Sequence, residues 1–138
     1  LAGFTGTSFN IIGSGWSKYF SGVFDGSGHT ISNFTYTSTE GDKVGLFGYV
    51  GKWRVVDAEI KDLGLINPNV DAGSGDKVGS LVGWLGDGTI TNCYVEAGSV
   101  SGNEAVGGLV GFNFGGTINN CYSSCDVSGT GWNVGGLE

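Results

Sequence analysis

Two side chains in the string FDGSGHT have the types needed for acid/base chemistry: His29, the one histidine of the 138 residues, and Asp25 four positions before it. Catalysis by an imidazole needs a partner within hydrogen-bond reach and a cleft around both. No other residue is placed by spacing to complete such a site, so the stronger expectation is a turn at Asp25-Gly26-Ser27-Gly28 flanked by two strand-like stretches, with His29 pointing outward. Asp25, Asp42, Asp76, Asp87 and Asp126 lie at or near expected corners and offer oxygen ligands of the kind calcium takes. Neither an EF-hand loop nor a GGxGxDxUx nonapeptide accompanies them, which favours solvated turn carboxylates. The glycine-rich GSGDKVGS lacks the GxxxxGK spacing of a phosphate loop and precedes no helix. Cys93, Cys121 and Cys125 are odd in number and lack the CxxC or Cys/His spacing zinc uses. No cofactor, metal or catalytic residue is therefore expected, and the chain reads as a non-enzyme.

Aromatic residues are the better candidates, for binding. Tyr49, Trp84 and Phe112 recur at one position of a repeated string, Tyr94 and Tyr122 at another, and Trp53 sits in the inserted Lys52-Trp53-Arg54. Rows of exposed rings stack on sugars or supply a protein interface. The competing role, shielding the backbone of a sheet, is the stronger expectation, with Trp53 folded over a corner.

What positions these residues is a repeat. Val78 to Gly102 reads VGSLVGWLGDGTITNCYVEAGSVSG, Val106 to Gly129 reads VGGLVGFNFGGTINNCYSSCDVSG, a longer variant runs from Val44 to Leu65, and VGGL restarts at Val134. Val44, Val78, Val106 and Val134 are separated by 34, 28 and 28 residues. Ile31, Ile60, Ile90 and Ile118 are separated by 29, 30 and 28. Periods of this size signal stacked units. Alignment on the isoleucines gives ISNFTY, IKDLGL, ITNCYV and INNCYS, with a polar column Asn33, Asp62, Asn92, Asn120 and an inward column Phe34, Leu63, Cys93, Cys121. The composition agrees with strands, since 29 Gly oppose helix and favour tight corners.

The expected fold is all-β: a right-handed parallel β-helix, or β-solenoid, of about four to five coils with roughly 28 to 30 residues per coil. Stacked residues lie about 4.8 Å apart. Three extended segments per coil, VGGLVGF, GTINNCYSS and DVSG, predict a triangular cross-section. Extra residues fall between Val44 and Ile60 and around Asn67-Pro68-Asn69, where loops bulge from corners. A propeller blade needs about 40 residues, more than this period supplies. The expected organisation is one solenoid domain over 1–138, with an N-terminal coil and turn segment at 1–36 and the repeats at 44–138.

The strings VGSLVGWLGDGTITNCYVEAGSVSG and VGGLVGFNFGGTINNCYSSCDVSG closely resemble the GLUG-motif repeats of bacterial surface and secreted proteins, among them adhesin-like proteins and the non-catalytic N-terminal part of some immunoglobulin A1 proteases. FSGVFDGSGHTISNF resembles the segment that commonly precedes those repeats, so the likeness covers roughly Phe20 to Leu137. It implies an extracellular or cell-surface β-solenoid and carries over no catalytic residue, because the matched positions are glycines, apolar residues and Asn.

A net charge of −7 with six Lys+Arg argues against nucleic acid as a partner, and no apolar run is long enough to span a membrane as a helix. The expected role is an adhesive or structural module, stalk or filament subunit. Leu1 to Phe4 matches the continuation of the motif that VGGLE leaves off, so Leu1, Phe4, Val134 and Leu137 are the expected contacts of head-to-tail self-assembly. A glycan or a host or cell-surface protein is the alternative partner. The rival readings are a carbohydrate-active β-helix working through Asp25 and His29, for which the basic residues look too scattered, and a spacer in a larger secreted peptidase.

Overall fold

Closely spaced glycines between short runs of Val, Ile and Leu leave no segment able to hold a helix, and every regular element among the described residues is a strand. The computed structural model describes residues 10–54 and 57–137. The first coil contains β1 (Val23–Ser32) and β2 (Thr35–Thr37), and the second β3 (Phe47–Val50), β4 (Ala58–Ile66) and β5 (Asn69–Asp71). The third runs through β6 (Val78–Gly79), β7 (Val82–Leu85), β8 (Gly88–Thr91), β9 (Tyr94–Glu96) and β10 (Ser99–Gly102). The fourth repeats it as β11 (Val106–Gly107), β12 (Val110–Asn113), β13 (Thr117–Asn119), β14 (Tyr122–Ser123) and β15 (Asp126–Gly129), after which β16 (Val134–Gly135) begins another turn.

Each strand pairs in parallel with its counterparts one coil away, so the chain is a parallel β-solenoid of about four coils. Among the described residues the sheets number four. The first holds β1, β4, β8 with β9, and β13 with β14; the second β2, β5, β10 and β15; the third β6, β11 and β16; the fourth β3, β7 and β12. The three extended segments expected per coil are corrected to a larger number of shorter ones, because VGGLVGF breaks into β11 and β12 at Gly108-Leu109, and VGSLVGW into β6 and β7 at Ser80-Leu81.

The interior is a set of columns. Phe24, Ile60, Ile90 and Ile118 stack in one, and Tyr36, Val70, Val100 and Val127 in another. Ile60, Ile90, Val70, Val100, Leu81 and Leu109 are buried, each stabilising the fold by roughly 1.5–3 kcal/mol relative to exposure. Ser80 is buried among them, and its hydroxyl donates to the Gly108 carbonyl one coil away.

Three corners use left-handed backbone, and each forms a column. One holds Asp62, Asn92 and Asn120, with φ of 54°, 52° and 51°; the next holds Asn33, Asn67 and Ala97, at 60°, 53° and 58°. The third holds Lys43, Lys77, Ala105 and Asn133, at 55°, 61°, 53° and 59°. Asn side chains bridge coils at the first two, Asn92 donating to Asp62 at 3.1 Å and Asn67 to Asn33 at 2.9 Å.

The first unit is registered differently from the expected alignment. Ile31 pairs with Leu65 rather than standing over Ile60, whose partner is Phe24, and Asn33 stacks on Asn67 rather than Asp62. The cause is a β-bulge in β1: Asp25 pairs with Lys61 and His29 with Leu63, so Gly26, Ser27 and Gly28 face one residue. FDGSGHT is thus a bulge within one strand and not a turn between two. The insertion expected at Asn67-Pro68-Asn69 also moves, because those residues match Ala97-Gly98-Ser99 one for one. The two extra residues lie instead between Asp71 and Val78.

Candidate functional site

Close backbone approach explains the motif glycines. A Cβ on Gly83 lies 2.7 Å from the Val44 nitrogen, and one on Gly111 is driven into the Lys77 corner. Each left-handed Lys corner therefore nests against the glycine of the fourth sheet one coil further on, and the lysine side chain is delivered across that sheet's outer face.

That face carries rings. Tyr49 pairs with Trp84 and Trp84 with Phe112 in the parallel register, placing the three in one column as the repeat implies. The Tyr49 and Trp84 centroids are 5.3 Å apart. Trp84 itself is only 8% exposed, because Trp16 meets it edge-on at 5.6 Å and Phe114 stacks on it at 5.8 Å with planes 23° apart. Its ring lies over Gly86, where a Cβ would stand 2.8 Å from it. The expectation of Trp84 as a ligand-contacting ring is corrected accordingly: the rings open to solvent there are Trp16, 51% exposed, and Phe114, 56% exposed. The repeat alignment does not reach Trp16. Phe114 was legible, standing two residues beyond Phe112 in a strand-like run and therefore on the same side.

Cations follow the rings. The Lys43 ammonium lies 5.6 Å from the Tyr49 centroid, Lys77 5.9 Å from Phe112, and Lys52 5.2 Å from Trp16 and 5.6 Å from Tyr19. Arg54 lies 4.5 Å from the centre of Trp53, which is 60% exposed and stands out from its loop instead of folding over a corner. Three of the six basic residues, Lys43, Lys52 and Lys77, are thus brought over the rings of this face. Among the described residues the one ion pair within 4 Å joins Lys61 to Glu59, at 3.9 Å.

Tyr94 and Tyr122 form a second column, on the first sheet, with centroids 5.2 Å apart and planes at 10°. Tyr94 is half-buried over Gly64, and Tyr122 is exposed. The Tyr122 hydroxyl donates to Glu96, which pushes its pKa up to about 12 by holding the phenol proton against a carboxylate.

Of the residues with catalytic types, Asp25 accepts the Ser27 N–H at 2.8 Å, and His29 is exposed on β1. Corner carboxylates bind backbone: Asp42 accepts the Asp76 N–H at 2.8 Å, Asp76 accepts Glu104 N–H and the Asn103 amide at 3.0 Å, and Asp87 accepts Arg54 N–H. They are rungs between coils and not simply solvated turn groups. The three cysteines are free thiols. Burial pushes Cys93 up to about 11 and raises Cys121 and Cys125 as well, so none is a ready nucleophile at neutral pH.

At the ends, Val134 pairs with Val106 and is exposed, and the Leu137 carbonyl accepts N–H groups of Leu109 and Val110. Leu1 and Phe4 lie outside the described residues.

Comparison with known proteins bears on the same stretch. Over 99 residues the chain is 33% identical to halomucin of Haloquadratum walsbyi (strain DSM 16790 / HBSQ001), covering 72% of this chain and 1% of that protein. The chain thus spans about 1% of the length of that relative. No solved structure matches it. The GLUG motif matches residues 77–101 and 102–128, which run from β6 into β10 and from the end of β10 through β11 into β15. Residues 77–128 thus carry two consecutive matches to the GLUG motif.

Proposed function

We propose that this chain is a non-catalytic structural module of an extracellular or cell-surface protein: a stiff β-solenoid stalk whose end coils accept further coils and whose outer faces serve adhesion. One observation carries the reading. The half-buried members of the apolar core sit in the first and last coils, in matching columns: Phe24 and Tyr36 at one end, Ile118 and Val127 at the other. A coil laid on either end continues the same columns and adds parallel pairing to end strands that have one neighbour among the described residues. The next coil comes from a longer chain or from a second copy, and head-to-tail stacking of copies gives a filament. The GLUG motifs and the likeness to halomucin support a surface role. Absence of catalysis fits the engagement of Asp25 with its own bulge and the exposed position of His29.

Light scattering and negative-stain microscopy across a concentration series test self-assembly. The expected result is end-to-end oligomers with a regular axial repeat, shortened by Val127→Lys. Isolated particles at every concentration would rule out assembly by this chain alone. Incubation with acidic polysaccharides should release no product; cleavage that disappears in His29→Ala would overturn the non-catalytic reading.

A further inference from the structure

The geometry points to a second role for the fourth sheet: its outer face is a binding stripe for an anionic polysaccharide, running along the solenoid axis. The inference goes beyond the stalk and does not depend on self-assembly.

The first argument is charge segregation. The chain has 13 Asp+Glu against six Lys+Arg, so every cation has surplus carboxylates with which to pair. Among the described residues Lys43, Lys52, Arg54 and Lys77 nevertheless form no ion pair within 4 Å, and each lies over an aromatic ring. The carboxylates adjacent in sequence to Lys43 and Lys77 are engaged by backbone instead, Asp42 accepting the Asp76 N–H and Asp76 the Glu104 N–H of the following coil. The second argument is spacing. Val44 pairs with Val78, so Lys43 and Lys77 occupy the same corner one coil apart, about one strand spacing or 4.8 Å. Like charges opposite one another on neighbouring strands are unfavourable unless a counter-charge lies between them.

The third argument is shape. In the Lys43–Lys77 column the third coil's successor is Ala105, and there a groove of about 290 Å³ opens beside Phe112, lined also by Asn113 and Asn133. A sugar chain needs these features together: ring faces to stack on, ammonium groups at the pitch of its anionic substituents, and amides beyond. One pyranose in an extended chain spans close to one strand spacing. Trp16 and Phe114 are the exposed stacking surfaces, and Lys43, Lys52 and Lys77 are the charge-reading groups.

Isothermal titration with dextran sulfate, with unsulfated dextran of matched length, and with a single-stranded oligonucleotide tests this. Dextran sulfate should bind, weakening as salt rises, with neutral dextran at least about tenfold weaker. Lys43→Asn and Lys77→Asn with Lys52→Gln should together reduce dextran sulfate affinity by at least about tenfold. Asn is chosen because Asn133 already holds the same left-handed corner, so the fold survives the change. Trp16→Ala should weaken binding without altering its salt dependence. No binding of dextran sulfate overturns the inference, as does binding unaffected by salt, equal binding of neutral dextran, or an unimpaired triple variant. Tighter binding of the oligonucleotide would reassign the stripe to nucleic acid and overturn it too.

Discussion

Gly83→Ala tests whether the close approach of the fourth sheet's backbone to the Lys43 corner is what the motif encodes. A Cβ there is driven against the Lys43 carbonyl carbon and lies 2.7 Å from both the Lys43 Cα and the Val44 nitrogen. All three atoms are backbone, so none swings aside as a side chain would. Ordinary contact between carbons is about 3.5–4.0 Å, which demands a retreat of about 1 Å. The Val44 N–H bond to the Lys77 carbonyl, 3.1 Å long, does not survive such a shift. Overpacking of this kind costs about 1–3 kcal/mol and the lost hydrogen bond about 1 more, giving about 3 kcal/mol in all. For a chain this size that lowers Tm by roughly 10 °C. Urea unfolding followed by tryptophan emission reads it, since Trp84 is buried in the native state. Two controls separate the causes. Gly28 has open space but φ of +78°, so Gly28→Ala should cost about 1 kcal/mol through backbone strain alone. Gly15 has open space and no such φ, so Gly15→Ala should stay within about 0.5 kcal/mol of the parent. Gly83→Ala no more damaging than Gly28→Ala would refute the close-approach account.

The other predictions use the same columns. Because burial holds Cys93 protonated up to about 11 while an unfolded thiol titrates near 9.0, the native state keeps a proton the unfolded chain loses. Stability from this group is therefore complete below about pH 9 and falls as pH rises towards 11; Cys93→Ala should flatten urea midpoints measured across that window, and an unchanged slope would oppose it. Ala97→Asn should raise stability by about 1 kcal/mol, since it relieves an alanine at φ 58° and extends the Asn33–Asn67 ladder; a lower Tm would count against it. Gly64→Ala should be milder than Gly83→Ala although its Cβ falls within the Tyr94 ring, 2.7 Å from Cε2, because that ring can slide outward; the readout is loss of the Tyr94–Tyr122 stack in ring chemical shifts, with stability nearly kept.

Legibility in the sequence tracked how many corners look alike. From Val78 onward the 28-residue spacing translates directly into register: Val78 on Val106 on Val134, Ile90 on Ile118, Tyr94 on Tyr122. The first unit misled because two successive corners both take left-handed backbone and both favour Asn. Ile31-Ser32-Asn33 carries the same signal as Ile118-Asn119-Asn120 while occupying the corner of Asn67, one side further round. The bulge at Gly26 to Gly28 supplies the missing residues and is invisible to a reading that treats D-G-S-G as a turn. At the candidate site, the column Tyr49–Trp84–Phe112 followed from the period, but its covering by Trp16 did not. That contact joins residues 68 positions apart, from a segment without the repeat. That Lys43 and Lys77 recur at one repeat position was legible from the string GDKVG, but that this corner carries their ammonium groups over Tyr49 and Phe112 was not.

The geometry also separates what the motif specifies from what it leaves free. Its glycines are consumed by backbone contacts between coils, as Gly83 and Gly111 show, and its Val, Leu and Ile side chains are consumed by the interior columns. In the third coil Val78, Leu81, Val82, Gly83 and Ile90 are all buried, so the motif there dictates a corner and a core and cannot itself select a ligand. What reaches solvent is the set of outward side chains around that corner: Trp16 and Phe114, which cover Trp84, and the column Lys43, Lys77, Ala105 and Asn133. The second of these already varies from cation to methyl to amide across four coils at nearly constant φ, which shows that the corner tolerates different chemistry without a change of backbone. Two solenoids built from the same motif are therefore free to present unrelated surfaces.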